Sequence, residues 1–442
     1  MHALRALALL APLLWSCAGP SLSTRHHEQE DAWRRAAPAP SAHDDVFAGH
    51  AALDRQTLIA AVLARNPSIA AARWAWRAAL ARYPQQTALD DPMLEYGVAP
   101  LSLGSSRVDA GHRAVLSQAF PFPGKRALRG EIALAEAEAA ASDFAAVRLR
   151  LASLASLLHD EYYLAHRTLE ILALHRILLG ELREVATARY EAGEASQQDP
   201  LQAEVEEAHV LHDETLARTN LRIVAQQINA LLHRAPDLPV PASPASLATP
   251  ARFERDRETV LARALAQRPE LQASEQRVRG REAAVDLARR EFLPDLRLIG
   301  TYDSFWEESE LQPMLGIALN LPLRRARRQA AVEEAEASLE RERSERVSLD
   351  DEVRASVVGA IDRLDEAHQL LGLYRDRLLP AARDQVEAAR AAFETGRSDF
   401  PALVEAERNL RRIELDAEQA LTNSSRREAE LALATGALPE LP

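Results

Sequence analysis

Histidine and carboxylate side chains at short spacings are the first residues of this chain that could bind a metal ion. His209 and His212 lie one helical turn apart, with Asp213 beside them. Four further histidines share a polar N-terminal stretch: His26, His27, His43 and His50. Imidazole is a common ligand for zinc and copper. Histidines on the outer face of a helix and in a polar tether give the same patterns, and the sequence favours this second interpretation for both groups.

The only cysteine, Cys17, directly follows a short apolar run near the start of the chain. One arginine, an apolar core and the small residue Ser16 are typical of a bacterial export signal, which we assign to residues 1–16. The segment Leu14-Trp15-Ser16-Cys17 resembles a lipoprotein signal, in which the cysteine thiol receives a diacylglycerol. Trp15 replaces the small residue usual at its position, and a free thiol after an ordinary signal peptide is the alternative. We expect a lipidated Cys17 and no other cofactor.

Residues 17–53 contain the prolines, serine and glycine of a linker: Pro38, Pro40, Ser41 and Gly49. This composition predicts a polar, disordered tether behind the lipid. Ala18 after the cysteine, rather than aspartate, implies sorting to the outer membrane.

No enzyme motif is present in the sequence. The chain lacks a P-loop, a dinucleotide-binding glycine pattern, a His-Glu-x-x-His motif and a Gly-x-Ser-x-Gly motif. Its single cysteine also excludes an internal disulfide and a thiolate metal cluster. We therefore expect no catalysis, and any step driven by ATP or protons must reside in a partner.

The composition is that of a helical, acidic protein. The 442 residues include 53 Lys and Arg against 66 Asp and Glu, for a net charge of −13, which argues against a nucleic-acid partner. Hydrophobic residues make up 47%, enough to build a core, and aromatic residues make up 5%, too few for a chain that is mostly membrane barrel. Abundant Ala, Leu, Glu and Arg indicate long helices.

The sequence repeats itself once. Four pairs of segments occur in the same order with a shift of 201 to 203 positions: Asn66-Pro67 and Arg268-Pro269, Asp91-Pro92 and Leu293-Pro294, Phe120-Pro121-Phe122 and Leu321-Pro322-Leu323, and Tyr190-Glu191-Ala192-Gly193 and Phe393-Glu394-Thr395-Gly396. This order indicates a tandem duplication. We assign the repeats to residues 54–235 and 256–436, joined by a proline-rich linker at 236–255 and followed by a tail at 437–442.

Each repeat contains a predicted β-hairpin, at residues 92–122 and 294–323. The predicted strands are Met93–Leu103, Gly111–Phe122, Leu296–Phe305 and Leu311–Leu323. Their alternating apolar pattern and length of about 10–12 residues match tilted transmembrane strands. Surface hairpins on a soluble helical protein are the alternative.

Long helices follow each hairpin. Each repeat opens with a helix, at about 54–84 and 256–291. Apolar residues then recur every three or four positions over 125–192 and 324–395. A helix of that length extends about 100 Å. Gly193 and Gly396 end these helices, and return helices are predicted at 197–233 and 401–436.

Two hairpins supply only four strands, which cannot close a barrel. An open edge is not tolerated in lipid, so hairpins that enter a membrane require oligomerisation. Helices of this length would then cross much of a periplasm.

The ordered set of motifs over residues 54–436 resembles the TolC-like outer-membrane efflux protein family. Its markers include Asp91-Pro92-Met93, the segment from Gln118 to Lys125 and the two Tyr/Phe-x-x-Gly tips. The resemblance implies a mostly α fold with a small membrane β part. It implies a homotrimer whose chains share a 12-stranded outer-membrane barrel and a 12-helix periplasmic tunnel. It also implies two partners, a periplasmic adaptor protein and an inner-membrane pump.

The resemblance also implies site residues. The family's tunnel gate corresponds here to Glu405, while Ala402 replaces a second acidic residue, and Asp199 and Arg397 are further gate candidates. Ordinary solvated helix charges are the alternative for Glu405 and Asp199. The tips that would contact the adaptor comprise Tyr190, Gly193, Phe393 and Gly396.

Both long helices start with basic residues that oppose the helix macrodipole. They are Lys125, Arg126 and Arg129 in the first repeat and Arg324, Arg325, Arg327 and Arg328 in the second. Lipid phosphates at the barrel–tunnel junction or simple solvation could compensate them.

The sequence predicts a passive trimeric export channel, with a soluble periplasmic helical adaptor or scaffold as the alternative. The basic junction after Pro121 and the histidines near the N-terminus slightly favour heavy-metal cations as the substrate. Drugs and secreted proteins use similar ducts, and the substrate stays open.

Overall fold

The computed structural model describes residues 20–36, 46–47, 49, 51–104, 106–107, 109–247 and 256–437. The chain divides into two compact units. The first unit comprises Met1–Ala37, Ala72–Phe144 and Glu270–Leu349. The second unit comprises Pro38–Ala71, Ala145–Pro269 and Asp350–Pro442. Cys17, the predicted signal peptide and the predicted tail from residue 438 onward lie outside the described residues.

Helices make up most of the described chain. Those before the linker are α1 (Pro20–Arg35), α2 (Arg55–Arg65), α3 (Pro67–Leu80), α4 (Arg82–Thr87), α5 (Lys125–Glu191) and α6 (Gln198–Leu231). Those after it are α7 (Arg257–Gln267), α8 (Pro269–Arg290), α9 (Arg325–Leu373), α10 (Leu379–Glu394) and α11 (Phe400–Thr435). The helix order of the first repeat thus recurs in the second, although each predicted opening helix is broken at a proline.

The long helices are present as the sequence predicts. Helix α5 runs for 67 residues without a break. Its counterpart continues from α9 into α10 through a single π-helical turn at Tyr374–Leu378. Pro380 follows this turn and has no N–H to donate to the preceding turn, which accounts for the altered hydrogen bonding there. No helix in the described part of the chain is both long and apolar enough to cross a membrane.

The four strands are β1 (Met93–Val98), β2 (His112–Phe120), β3 (Leu296–Asp303) and β4 (Pro313–Leu319). They form one antiparallel sheet in the order β1-β2-β3-β4, so both predicted hairpins are present and lie side by side. The strands are shorter than predicted, at six to nine residues. The first hairpin leaves the ladder because a 3-10 turn begins at Pro100.

The predicted disordered tether is wrong for residues 20–35, which form α1. Leu22 packs against a buried cluster of Tyr83, Ala133 and Leu134 in the first unit. The His26 ring is buried and stacks on Tyr83 with 4.5 Å between ring centroids. These contacts stabilise a helix whose polar sequence alone predicts no buried face.

The other end of α1 is fixed through Trp33. Its indole N–H donates to the carbonyl of Arg73 at 3.0 Å. The Arg73 and Arg77 guanidinium carbons lie 4.3 and 5.1 Å from the ring centroid. Arg77 also donates to Glu30 at 2.9 Å. Cation–π and charged hydrogen bonds therefore hold a segment whose composition resembled a linker.

The core of the second unit joins the short opening helix to the long ones. Leu58, Ile59 and Val62 of α2 are buried and share a cluster with residues of α5 and α6 such as Leu158 and Ile228. The Asp54 carboxylate caps α2 by accepting the Thr57 N–H at 2.9 Å. The second repeat has the same cap, where Asp256 accepts the Thr259 N–H at 3.1 Å.

Candidate functional site

One face of the sheet is apolar and exposed. The register pairs Leu94 with Leu116, Leu116 with Gly300 and Gly300 with Leu315, so these positions share a face. The exposed apolar side chains on it are Leu94, Tyr96, Val98, Leu116, Leu298, Tyr302, Leu315, Ile317 and Leu319. Ile317 is 71% exposed. Such a face needs an apolar surrounding, because isolated soluble proteins rarely expose contiguous apolar surface of this extent.

The opposite face carries polar and charged side chains. By the same register, Glu95, Arg113, Ser117, Arg297, Thr301 and Asp303 lie on this face, interspersed with the apolar residues Met93, Val115, Ile299 and Met314. Arg113 and Asp303 are direct cross-strand partners, and two guanidinium nitrogens donate to one carboxylate oxygen at 2.6 and 3.0 Å. An exposed apolar face opposite a face that holds the charged side chains is the pattern of strands that separate lipid from water.

Among the described residues no further strand pairs with β1 or β4, so these two strands form the edges of the sheet. The Ala99 N–H donates to the Gly111 carbonyl and the Asp303 N–H donates to the Gln312 carbonyl, both at 2.9 Å. These two bonds identify which residue pairs of β1–β2 and β3–β4 are hydrogen-bonded. Because hydrogen-bonded and non-bonded pairs alternate, the N–H groups of Leu315 and Ile317 point away from β3. The sheet therefore presents free donors and acceptors along both edges.

The junction between β2 and β3 is closed by a buried lysine, and we call it the paired joint. The Lys125 ammonium is 2.9 Å from Asp295, 3.1 Å from Glu291 and 3.0 Å from the Leu293 carbonyl. Asp295 also accepts the Phe122 N–H at 2.8 Å. Burial would raise the pKa of Asp295, but the bonds from Phe122 and Lys125 outweigh it and hold that pKa below its usual range. Lys125 itself is fully buried.

Charged residues also follow β4 and precede β1, and we call these residues the open joint. Arg324 and Arg325 follow β4 and are exposed. Asp90 and Asp91 precede β1 and are also exposed. Within the described residues, none of these four side chains forms an ion pair.

The two predicted tips are tight turns. Gly193 and Gly396 have φ angles of +77° and +71°, the left-handed conformation that ends a helix most readily at glycine. Tyr190 is 43% exposed, whereas Phe393 is buried and packs on Phe400 with ring centroids 5.7 Å apart. One aromatic residue of the predicted pair is therefore available at the surface and the other belongs to the core.

The predicted gate residues form no ion pair with one another in the part of the chain that the structure describes. Glu405 is exposed and pairs with Arg408 at 2.8 Å. Arg408 also binds Glu206 of α6. Arg397 donates to the Thr395 hydroxyl at 3.0 Å, and among the described residues no ion pair links it to Asp199. The Arg408–Glu206 bridge was not predicted, since the two residues lie on different helices.

Sequence reasoning also missed a buried charge cluster in the second unit. His175 of α5 is 2.9 Å from Glu414 and 3.9 Å from Glu407 of α11. The hydrogen bond from His175 lowers the pKa of Glu414 more than burial raises it. Burial and the neighbouring Glu418 raise the pKa of Tyr163 to about 12. The helical spacing of Glu407, Glu414 and Glu418 is the signal that could have indicated a shared face.

Of the histidines considered as metal ligands, His43 and His50 lie outside the described residues, and His27 and His209 are exposed. His26 packs on Tyr83 as described, and His212 is exposed, with its ring nitrogen 3.2 Å from Asp213. Over the described ranges, no cluster of three or more His, Cys, Asp or Glu is arranged to hold a metal ion.

Comparison with known proteins supports the fold. Residues 260–437 match the family model "Outer membrane efflux protein". The outer-membrane channel OprN superposes with a TM-score of 0.74 at 17% identity, covering 91% of this chain and 97% of that one. CusC, described in terms of transmembrane channel formation, gives 0.74 at 18% identity with the same coverage. The outer membrane protein VceC of Vibrio cholerae gives 0.73 at 17% identity over 87% of this chain and 96% of that one. No curated protein matches the sequence.

Proposed function

We propose that this chain, whose residues 260–437 form an outer membrane efflux protein domain, is the outer-membrane channel of a tripartite efflux system. The observation that carries the proposal is the four-stranded sheet with one exposed apolar face, one polar face and two open edges. In this role the channel is passive and gives an exit duct to substrates delivered by an inner-membrane pump and a periplasmic adaptor.

The open edges support assembly from several copies, which we propose to be a homotrimer. Since neighbouring strands in the order β1-β2-β3-β4 are antiparallel, β1 and β4 run in opposite directions. Strand β4 of one copy can therefore pair with β1 of the next in the same antiparallel pattern. Three copies supply a closed barrel of twelve strands with the apolar face toward lipid, which satisfies every edge group. The long helices of the three copies then form the periplasmic tunnel.

Helix α1 supports a lipid anchor at Cys17. Its first residue, Pro20, comes three positions after the cysteine, a reach of about 10 Å. Leu22, near this end, packs against the cluster that contains Tyr83. Four residues after Tyr83, the Thr87 carbonyl accepts a hydrogen bond from the guanidinium of Arg126, at the start of α5 and beside the sheet. The N-terminal end of α1 thus lies toward the sheet, where a membrane surface is expected. An unmodified, uncleaved Cys17 in the mass spectrum of membrane-extracted protein would contradict the anchor.

The helical tips and the residues near them are proposed to serve the adaptor and the gate. Tyr190 offers an exposed aromatic contact, beside the rigid turns at Gly193 and Gly396. Glu405, Asp199 and Arg397 follow the tips closely in the sequence and would line the tunnel mouth in the trimer. Three copies of the exposed Glu405 carboxylate would attract cations there. Heavy-metal cations are one candidate substrate.

Planar-bilayer recording tests the channel. Purified protein should give discrete conductance steps, and Glu405→Ala should lower cation selectivity and block by multivalent cations. The difference should shrink in 1 M salt, where screening acts within about 3 Å. Absence of conductance, with the protein recovered in the soluble periplasmic fraction, would favour the adaptor alternative. Wild-type conductance with unchanged selectivity in Glu405→Ala would retain the channel and move the gate away from Glu405.

A further inference from the structure

The internal duplication indicates which residues should meet across the open edges. In a closed ring of three chains, junctions of two kinds alternate: β2 with β3 inside a chain, and β4 with β1 between chains. The internal junction is the paired joint, which is visible in a single copy. The other junction must be its counterpart, because the two repeats have the same order of elements.

Charged residues of opposite sign lie after the end of β4 and before the start of β1, the two places that would meet at this second junction. Lys125 is the first residue of α5, and Arg325 is the first residue of α9. Asp295 follows Pro294 directly before β3, and Asp91 precedes Pro92 directly before β1. Both repeats therefore carry a cation at the start of the long helix and an acid beside the proline that precedes the strand, with Arg325 displaced by one position and Asp91 by two relative to the repeat shift.

Exposure differs where the partner is missing. At the paired joint the Lys125 side chain is 1% exposed and Asp295 31% exposed. At the open joint Arg324, Arg325, Asp90 and Asp91 are all exposed, and their side chains have no ion-pair partner among the described residues. Because β4 and β1 are antiparallel, the end of β4 in one copy comes beside the start of β1 in the next. We infer that Arg324 and Arg325 of one copy bind Asp90 and Asp91 of the neighbouring copy and close the barrel base.

This inference rests on the proposed trimeric channel and adds the contact that selects its partner. An open β-edge alone pairs with many strands, and opposite charges at a fixed position specify register and a copy of the same chain. Anionic lipid headgroups are the competing occupant of the arginines. That occupant would leave Asp90 and Asp91 without a role.

Charge reversal and its repair test the contact in detergent-solubilised full-length protein. Asp90→Lys with Asp91→Lys, and Arg324→Glu with Arg325→Glu, should each speed trimer dissociation about tenfold, because like charges then meet at the junction. The variant with all four changes should return to the wild-type rate. Glu307→Lys with Glu308→Lys is the matched control, since this exposed acidic pair lies in the β3–β4 loop, and it should leave the rate unchanged.

Several outcomes would overturn the inference. One is that the variant with all four changes dissociates as fast as the faster of the two double variants. Another is a strong effect of the arginine reversal with none from the aspartate reversal, which would assign the arginines to anionic lipid. Neutral changes to Asn and Gln, analysed as a double-mutant cycle, keep the test valid if a reversal prevents folding. A wild-type protein that is monomeric in the same detergent would refute the proposed function, whereas a trimer indifferent to both reversals would refute only this contact.

Discussion

The paired joint and the open joint begin from the same sequence feature and reach opposite states. Lys125 is buried among Asp295, Glu291 and the Leu293 carbonyl. Arg324 and Arg325, at the corresponding helix start, are exposed. The acids that neutralise Lys125 belong to the same chain, and the acids that we assign to the arginines belong to another copy.

This difference shows how a duplicated chain can encode its own assembly. A charge pair inside one copy contributes to folding, because separating it leaves a buried charge unpaired. The equivalent pair between copies contributes only to association. A single chain therefore displays half of each intermolecular contact, and the internal repeat supplies the pattern for the other half.

The largest expected effect comes from blocking the open edge. Ile317→Pro removes an N–H that points away from β3, so the chain's own sheet keeps its hydrogen bonds while pairing with a neighbour is lost. We expect a folded monomer, measured by light scattering in detergent and by circular dichroism.

Ile317→Ala is the matched control, because it shortens the side chain and retains the N–H. It should remain trimeric. If Ile317→Pro also forms normal trimers, β4 is not an intermolecular edge and the comparison of the joints fails.

A smaller effect is expected from removing the buried cation at the paired joint. Lys125→Met should lower the free energy of unfolding by about 3 kcal/mol, since two carboxylates and a carbonyl lose their shared donor. Urea unfolding in the Ile317→Pro background would measure this on a single chain. Arg325→Met in that background should change stability by less than about 0.5 kcal/mol, as exposed substitutions do. Equal losses in the two variants would mean that the joints do not differ as described.

The smallest effect concerns pH at the paired joint. The pKa of Asp295 is held below its usual range, so its contribution to stability is present above the unfolded pKa of about 3.9 and is lost as pH falls through the folded value. Asp295→Asn should destabilise by about 1–2 kcal/mol at pH 7. The gap from wild type should close below the folded pKa.

Asp286→Asn is a suitable comparison for the pH series, because Asp286 is exposed and its one ion pair among the described residues is a 3.8 Å contact with Arg289. It should run parallel to wild type at every pH. A gap for Asp295→Asn that persists at acid pH would show that the charge of Asp295 is not what stabilises the joint.

The sequence was sufficient for features that are local or periodic. The hairpins, the long helices and the turns at Gly193 and Gly396 were predicted, because alternation, three-to-four spacing and glycine act within a few residues. The bounds were less accurate: the strands are shorter than predicted, since turns and proline end the ladders before the apolar pattern ends.

Contacts between distant segments were not predictable from one sequence. Helix α1 has a polar sequence, and only the positions of Tyr83, Leu134 and Arg73 make it a packed helix instead of a tether. The Lys125 joint depends on residues about 170 positions away.

The most direct test is chemical cross-linking across the open joint. Asp91→Cys and Arg324→Cys in one chain place one thiol just before the edge strand β1 and one just after the edge strand β4. A short bis-maleimide can join these thiols between neighbouring copies. We predict covalent dimers and trimers on denaturing gels, with Asp91→Cys alone or Arg324→Cys alone giving neither. Cross-links confined to single chains, or no cross-links in protein that forms conducting pores, would contradict a barrel closed by β4 of one copy against β1 of the next.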